Sequence, residues 1–149
     1  ATDEQPVEVD VADLVRAAAR RLPQPDRDRV VVTGDAEAVL RTVQVQRAVV
    51  NLLTNAAKFD GGGGPIEVGV SRTGDAVTVE VRDHGPGFAE ADLPHVFARF
   101  YRSDTVRSTP GSGLGLAIVR DVAQRNGGTV TASNHPDGGG LLRLTLPSA

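Results

Sequence analysis

Apolar residues recur along this chain with two different periods, and the changes of period mark out its elements. After Asp10, a residue suited to cap a helix, Val11, Leu14, Val15, Ala18 and Leu22 repeat at helical spacing until Pro23 and Pro25 stop them. The β-branched run at 29–33, ended by Gly34-Asp35, predicts a strand. Val45, Ala48, Val49, Leu52 and Ala56 predict a second helix over about 43–59, terminated by Asp60 and the glycines at 61–64. The period then drops to two. Ile66, Val68 and Val70 face one way and Glu67, Gly69 and Ser71 the other. Beyond a Gly74-Asp75 turn, Val77, Val79 and Val81 repeat the alternation as far as Asp83, so the pair predicts an antiparallel hairpin. Leu114, Ala117, Ile118 and Val122 predict a third helix closing near Gly127-Gly128, and strands at about 129–133 and 141–146 flank a glycine turn at 138–140.

Two stretches escape this pattern. Residues 1–6 are polar and read as an arm or linker. Between Pro86 and Ser112 steady periodicity is lost, apart from a helical patch around 93–98. A compact domain rarely leaves so long a segment irregular without a functional or mobile role for it. Strand pairs mixed with three amphipathic helices, and without regular βαβ alternation, predict an α+β fold built as a two-layer sandwich.

Composition narrows the class. The 149 residues are enough for one core; 40% are hydrophobic and 23% charged, which excludes disorder over most of the chain, and no apolar run is long enough to span a membrane. No basic, apolar leader opens the segment, so no export signal is expected from it. Without cysteine there is neither a disulfide framework nor a thiolate metal site, which fits a reducing cytoplasm. A formal charge of −3 argues against nucleic acid as a partner. Aromatic residues are only 3%, so the core must be aliphatic. Of the 16 basic residues only Lys58 is a lysine, in a chain that otherwise uses arginine.

Four clusters carry candidate chemistry. On the second helix Asn51, Asn55 and Lys58 share one narrow stripe beside the apolar face. Asparagine is a mediocre helix former, so two of them one turn apart point either to ligand contact or to a solvated face. An amide oxygen suits Mg²⁺ and an ammonium suits phosphate. Asp83-His84-Gly85-Pro86-Gly87 follows a strand; its carboxylate can accept from an exocyclic amine while glycine lets the backbone approach a flat ligand, although an ordinary turn has the same composition. Gly111-Ser112-Gly113-Leu114-Gly115-Leu116 leads into a helix, where exposed N–H groups and the helix dipole favour an anion. Its spacing and its setting after a polar loop exclude a Rossmann dinucleotide fingerprint, and no P-loop motif occurs. Phe97-Ala98-Arg99-Phe100-Tyr101-Arg102 holds three of the five aromatics; it can pin a loop while Arg99 and Arg102 reach phosphate oxygens, or be a satellite apolar cluster.

The order and spacing of the four are more specific than any one of them. The segment from Asn51 to Phe59 resembles the N box of the histidine kinase ATP-binding domain. Asp83 to Gly87 resembles its G1 box, Phe97 to Arg102 its F box and Gly111 to Leu116 its G2 box. The similarity covers about 7–146. It implies a Bergerat (GHKL) fold, with three main helices on one face of a mixed, mainly antiparallel sheet, and a kinase domain over 7–149 with a lid at about 88–112. It further implies ATP and Mg²⁺ as cofactors. Asp83 would bond the adenine amino group, Gly85 and Gly87 would shape the purine floor, and Phe59 would lie near the base. Asn55 would coordinate Mg²⁺, with Asn51 and Lys58 along the phosphate path. Gly111, Gly113, Leu114 and Gly115 would meet the phosphates, and Arg99 or Arg102 would approach the γ-phosphoryl group.

Hydrolysing relatives of this fold carry a glutamate one turn before the metal-binding asparagine. Here that position is Asn51, whose amide cannot take a proton near neutral pH, so slow hydrolysis is implied. The resemblance also implies a histidine acceptor. His84, His95 and His135 all lack the acceptor-box setting, so the acceptor belongs to a dimerisation domain joined through residues 1–6, and a response regulator would receive the phosphoryl group. This segment would be a monomer making no membrane contact, a cytoplasmic part of a dimeric, membrane-anchored parent. The alternatives are a serine kinase of the anti-sigma-factor type, or a nucleotide-binding module without transfer activity.

Overall fold

The computed structural model describes residues 4–59, 64–99 and 115–149. Among them the chain runs through β1 (Val7–Asp10), α1 (Val11–Ala19), α2 (Asp26–Arg29), β2 (Val30–Gly34), β3 (Glu37–Leu40), α3 (Thr42–Phe59), β4 (Ile66–Thr73) and β5 (Ala76–Arg82). A 3₁₀ turn (Glu90–His95), α4 (Gly115–Arg125), β6 (Thr129–Asn134) and β7 (Gly140–Pro147) follow.

Five strands form the main sheet in the order β2-β4-β5-β7-β6. Only β2 and β4 are parallel, from Val30 beside Ile66 to Gly34 beside Val70; the other pairs are antiparallel, with Val68 opposite Val81 and Val79 opposite Leu144. The period-two pattern therefore puts Ile66, Val68, Val70, Val77, Val79, Val81, Leu142, Leu144 and Leu146 on one face, all buried. Helices α1, α3 and α4 cover that face, α3 through Val45, Ala48, Val49, Leu52, Leu53 and Ala56. Each aliphatic side chain so buried contributes about 1.5–3 kcal/mol of transfer free energy. The described aromatics sit only at the margin of this core, with Phe88 and Phe97 partly buried against it. The expected α+β sandwich with a mixed, mainly antiparallel sheet is what the chain forms.

Several boundaries depart from the periodicity. Regular α1 stops at Ala19, because Pro23 cannot continue a helix and restricts the residue before it. Two looser turn bonds, Arg21 N–H to Ala18 O at 3.0 Å and Leu22 N–H to Ala19 O at 3.1 Å, still carry Leu22 into the core. The strand expected from residue 29 begins at Val30. Arg29 instead closes the one-turn α2, held by a 2.7 Å ion pair with Asp26. The helical patch expected at 93–98 is the 3₁₀ turn, shifted to Glu90–His95 with Pro94 inside it. Strands β1 and β3 were not anticipated; they pair antiparallel as a separate two-stranded sheet, Val7 opposite Leu40 and Asp10 opposite Glu37.

Glu4 lies ahead of β1, in the segment read as an arm. Its carboxylate accepts from Val43 N–H at 2.7 Å and Gln44 N–H at 3.1 Å, capping α3. Arg41 donates to Glu4 O at 3.0 Å and to Asn126 Oδ1 at 3.1 Å, and Asn126 donates to Gln44 Oε1 at 3.0 Å. The start of α3 and the end of α4 are thus tied at one end of the sheet, so the two helices run antiparallel.

The opposite end of the sheet gathers different residues. There β4 begins, β5 ends and β7 begins, with Glu67 opposite Arg82 and Arg82 opposite Leu141. Gly140 lies opposite Asn134 at the end of β6. The C-terminal half of α3, which feeds β4, and the N-terminus of α4 belong to this end.

Candidate functional site

Asp83 is the first residue past β5 and the only buried polar or charged residue among those described, 6% exposed. An ionised carboxylate tolerates burial only with partners. Its Oδ1 accepts from Gly85 N–H at 2.9 Å, closing a local turn, and from Gly140 N–H at 3.1 Å across the sheet. Its own N–H reaches Gly140 O at 3.1 Å. These bonds fix the plane of the carboxyl group. Among the described residues nothing donates to Oδ2, which is left as an oriented acceptor.

The turn between β6 and β7 builds the support beneath it. Gly139 has φ +89°, and a Cβ there would stand 1.8 Å from Asp83 O, so only glycine fits. A Cβ on Gly140 would come within 3.0 Å of both Asp83 Oδ2 and the Phe88 ring. Sequence reasoning took residues 138–140 as a turn and missed this role. The available signal was the excess of three successive glycines over what a turn needs.

Gly85 and Gly87 lie on the same loop as Asp83, and Gly87 adopts φ +80°. His84 turns outward, its Nε2 bonded to Glu67 Oε2, with Arg82 NH1 at 3.7 Å from the same oxygen. Beyond Gly87 the side chain of Asn134 clasps Phe88: Phe88 N–H donates to Oδ1 at 2.7 Å and Nδ2 donates to Phe88 O at 2.9 Å. Nothing in the sequence reading pointed to Asn134.

Helix α3 supplies the second group. Asn51 and Asn55 are half-buried one turn apart, and among the described residues neither side chain makes a hydrogen bond. Lys58 is exposed, with Nζ 5.7 Å from the centre of the half-buried Phe59 ring. The apolar stripe of α3 fixes the rotation of these residues. Gly115 opens α4, and among the described residues no part of another element lies within 4 Å of where its Cβ would be. Arg99 is exposed at the limit of the second described segment. Arg102, Gly111, Gly113 and Leu114, and the later part of the expected lid, lie outside the described residues.

No group of three or more His, Cys, Asp or Glu side chains that could hold a metal occurs among the described residues. A cavity of about 130 Å³, lined by Val39, Arg41, Asn126 and Pro147 among others, belongs to the far end of the sheet. Also remote from Asp83, the carboxyls of Asp10 and Asp35 are neighbours that influence each other. The Asp13 N–H, and then Asp35, hold the Asp10 carboxyl below the usual aspartate range. The Asp10 contact, and then burial, push Asp35 above that range.

A family model, that of the histidine kinase-, DNA gyrase B- and HSP90-like ATPases, matches residues 40–149. The chain belongs to this ATPase family. Within it the similarity runs to sensor histidine kinases. Sensor histidine kinase component HK1 of Mycobacterium tuberculosis is 49% identical over 104 residues, 70% of this chain and 61% of that protein. Signal transduction histidine-protein kinase AfsQ2 of Streptomyces coelicolor is 39% identical over 141 residues, 94% of this chain and 26% of that protein. The chain thus spans about three-fifths and a quarter of the lengths of these relatives.

Solved structures agree. The mycobacterial sensor histidine kinase MprB superposes with a TM-score of 0.83 at 32% identity, over 95% of this chain and 97% of that one. The ATP-binding domain of PrrB from Mycobacterium tuberculosis gives 0.75 at 30% identity, over 97% and 98%. The fold and the ATP-binding class are those of a histidine kinase ATP-binding domain.

Proposed function

We propose that this domain binds ATP with Mg²⁺ between α3 and the Asp83–Gly87 loop, and transfers the γ-phosphoryl group to a histidine on a separate dimerisation domain. A response regulator would then receive it, in a dimeric, membrane-anchored parent whose cytoplasmic part includes this domain. Among the described residues no helix is long and apolar enough to cross a membrane. The observation that supports the reading is a buried carboxylate whose Oδ2 has no donor among the described residues, together with two helical amides, Asn51 and Asn55, that make no hydrogen bond among those residues.

Asp83 Oδ2 can only accept. It therefore favours a base presenting an exocyclic amine over one presenting a carbonyl at that point. Gly85 and Gly87 would shape the floor beside the base, the missing Cβ of Gly87 making way for the Asn134 amide, with Phe59 toward its far side. The Asn55 amide is a neutral, hard oxygen donor that makes no hydrogen bond among the described residues. One such donor together with phosphate oxygens is the kind of site Mg²⁺ takes, whereas a cage made by protein alone is neither present among the described residues nor needed. When bound there, Mg²⁺ would neutralise charge on the phosphate tail. Lys58 and Arg99 add positive charge along the tail, and Gly115 opens the helix whose N–H groups face it. The parts given to Arg102, Gly111, Gly113 and Leu114 rest on the motif resemblance. Asn51 cannot serve as a base for water, so the nucleotide is preserved for the protein acceptor.

The test is a titration of the domain with a non-hydrolysable ATP analogue, with and without Mg²⁺, followed by incubation with ATP and an added acceptor hairpin. Expected are Mg²⁺-dependent binding that is lost in Asp83→Ala, negligible hydrolysis alone, and acid-labile, base-stable phosphate on the hairpin. Undiminished binding by Asp83→Ala refutes the site. Acid-stable phosphoserine on a partner protein would replace the histidine kinase reading by the serine kinase one.

A further inference from the structure

We infer that Asn134, at the end of β6, is a positioning residue for nucleotide binding: its side-chain amide clamps the backbone of Phe88 and thereby holds the Asp83–Gly87 loop against the β6–β7 turn. The inference rests on the nucleotide reading of that loop and deepens it.

The geometry is that of a peptide group mimicked by a side chain. Oδ1 accepts from Phe88 N–H at 2.7 Å and Nδ2 donates to Phe88 O at 2.9 Å, so both backbone groups of one residue are satisfied by one amide. This residue follows Gly87, at φ +80°, whose missing Cβ leaves space for the clamp; a Cβ there would be 2.6 Å from Asn134 Oδ1. The loop is consequently held at two points by one turn. Gly140 N–H fixes Asp83 Oδ1 at the start of the loop, and Asn134 fixes Phe88 at its end. Among the described residues the loop is further held by the Asp83 N–H to Gly140 O bond at its start, the Asp83–Gly85 bond, the outward His84–Glu67 pair and the packing of Gly139 beneath Asp83.

An anchor that sits at one end of a five-residue loop keeps its aim only if the other end is also held. Without the clamp the loop samples more conformations, and a ligand bears the cost of ordering them. Asn134 is itself exposed and adds nothing to the apolar core, so its conservative variants leave the sheet intact.

The experiment compares the wild-type domain with Asn134→Ala and Asn134→Asp. One readout is the affinity for a non-hydrolysable ATP analogue with Mg²⁺. The other is amide hydrogen exchange without nucleotide, at Phe88 and at Val79 in the middle of β5. Loss of two solvent-accessible hydrogen bonds of ordinary net strength corresponds to about a tenfold change. Asn134→Ala is expected to weaken binding by about tenfold and to lower protection at Phe88 by a similar factor, with Val79 unchanged. Asn134→Asp keeps the acceptor for Phe88 N–H but sets a carboxylate oxygen against Phe88 O, so it too should weaken binding and lower protection at Phe88. Wild-type affinity in Asn134→Ala overturns the inference, as does an equal loss of protection at Val79, which would mark a merely structural role. A wild-type domain that fails to bind the analogue refutes the nucleotide reading itself.

Discussion

Replacing Asp83 by asparagine separates what its two oxygens do. In the structure Oδ1 is held by Gly85 N–H at 2.9 Å and Gly140 N–H at 3.1 Å, whereas Oδ2 has no donor among the described residues. Asparagine keeps a carbonyl oxygen for the two amides, because its NH₂ would clash with them, and so presents NH₂ where the carboxylate presented an acceptor. Structurally the variant loses only the charge-assisted part of two bonds, about 1 kcal/mol, or roughly 2–4 °C in melting temperature for a domain of this size. Toward an adenine amine it loses a charged hydrogen bond worth about 1.5–3 kcal/mol and gains a donor facing a donor, so affinity should fall by about a hundredfold or more. Asp83→Ala also strands the two backbone amides and should cost about 2–4 kcal/mol of stability besides. Calorimetric titration with an ATP analogue, beside thermal melting of the same samples, measures both quantities. Wild-type affinity in Asp83→Asn, or equal destabilisation by the two variants, would refute the division of labour between the oxygens.

Other outcomes follow from the packing. Leu52→Ala empties a fully buried position on α3 and should cost about 2–5 kcal/mol in urea unfolding. Glu4→Ala removes the cap on Val43 and Gln44 N–H and should cost about 1 kcal/mol by the same measurement; an unchanged midpoint would mean the cap is not formed in solution. Gly139→Ala forces a Cβ to 1.8 Å from Asp83 O at a positive φ, and a loss of about 3 kcal/mol is expected; a melting temperature within about 2 °C of wild type would contradict it. Asp35 has a raised folded pKa, so its contribution to stability is greatest below the ordinary aspartate value and declines as pH rises through the interval up to the raised one. Asp35→Asn should therefore melt higher than wild type at pH 7, with the gap closing as pH falls below the ordinary aspartate value, about 4, where Asp35 becomes protonated in the unfolded chain as well; a gap independent of pH would refute this.

The three helices and the central hairpin were legible because their signal is local. The stripe Val45, Ala48, Val49, Leu52 and the alternation of Val77, Val79 and Val81 need no partner to be recognised. Asn51, Asn55 and Asp83 stood out for a related reason: each is a residue type its element does not favour or a charge at a strand's end. What could not be read depends on remote partners. Strands β1 and β3 are four residues each, too short to show a period, and they exist by pairing with one another. The cap from Glu4 acts across about 40 residues of chain, and the Asn134 clamp joins residues 46 apart. An asparagine near a turn looks the same whether it grips a backbone or faces water.

The site's geometry follows from how its two halves are attached. Asn51 and Asn55 ride on an 18-residue helix whose opposite side is buried from Val45 to Ala56 and whose start is capped by Glu4. Their position along and around the helix is set by the core, not by the loop that follows. Asp83 is set by the sheet, through its register with Gly140, and the sheet packs against the same core. Neither half therefore needs the other, or a ligand, to hold its place, and the spacing between amide and carboxylate is a property of helix-on-sheet packing. Core substitutions such as Leu52→Ala should thus reduce nucleotide affinity together with stability, because they loosen the packing that sets this spacing. Changes in the β6–β7 turn should reduce it in a domain that is still folded.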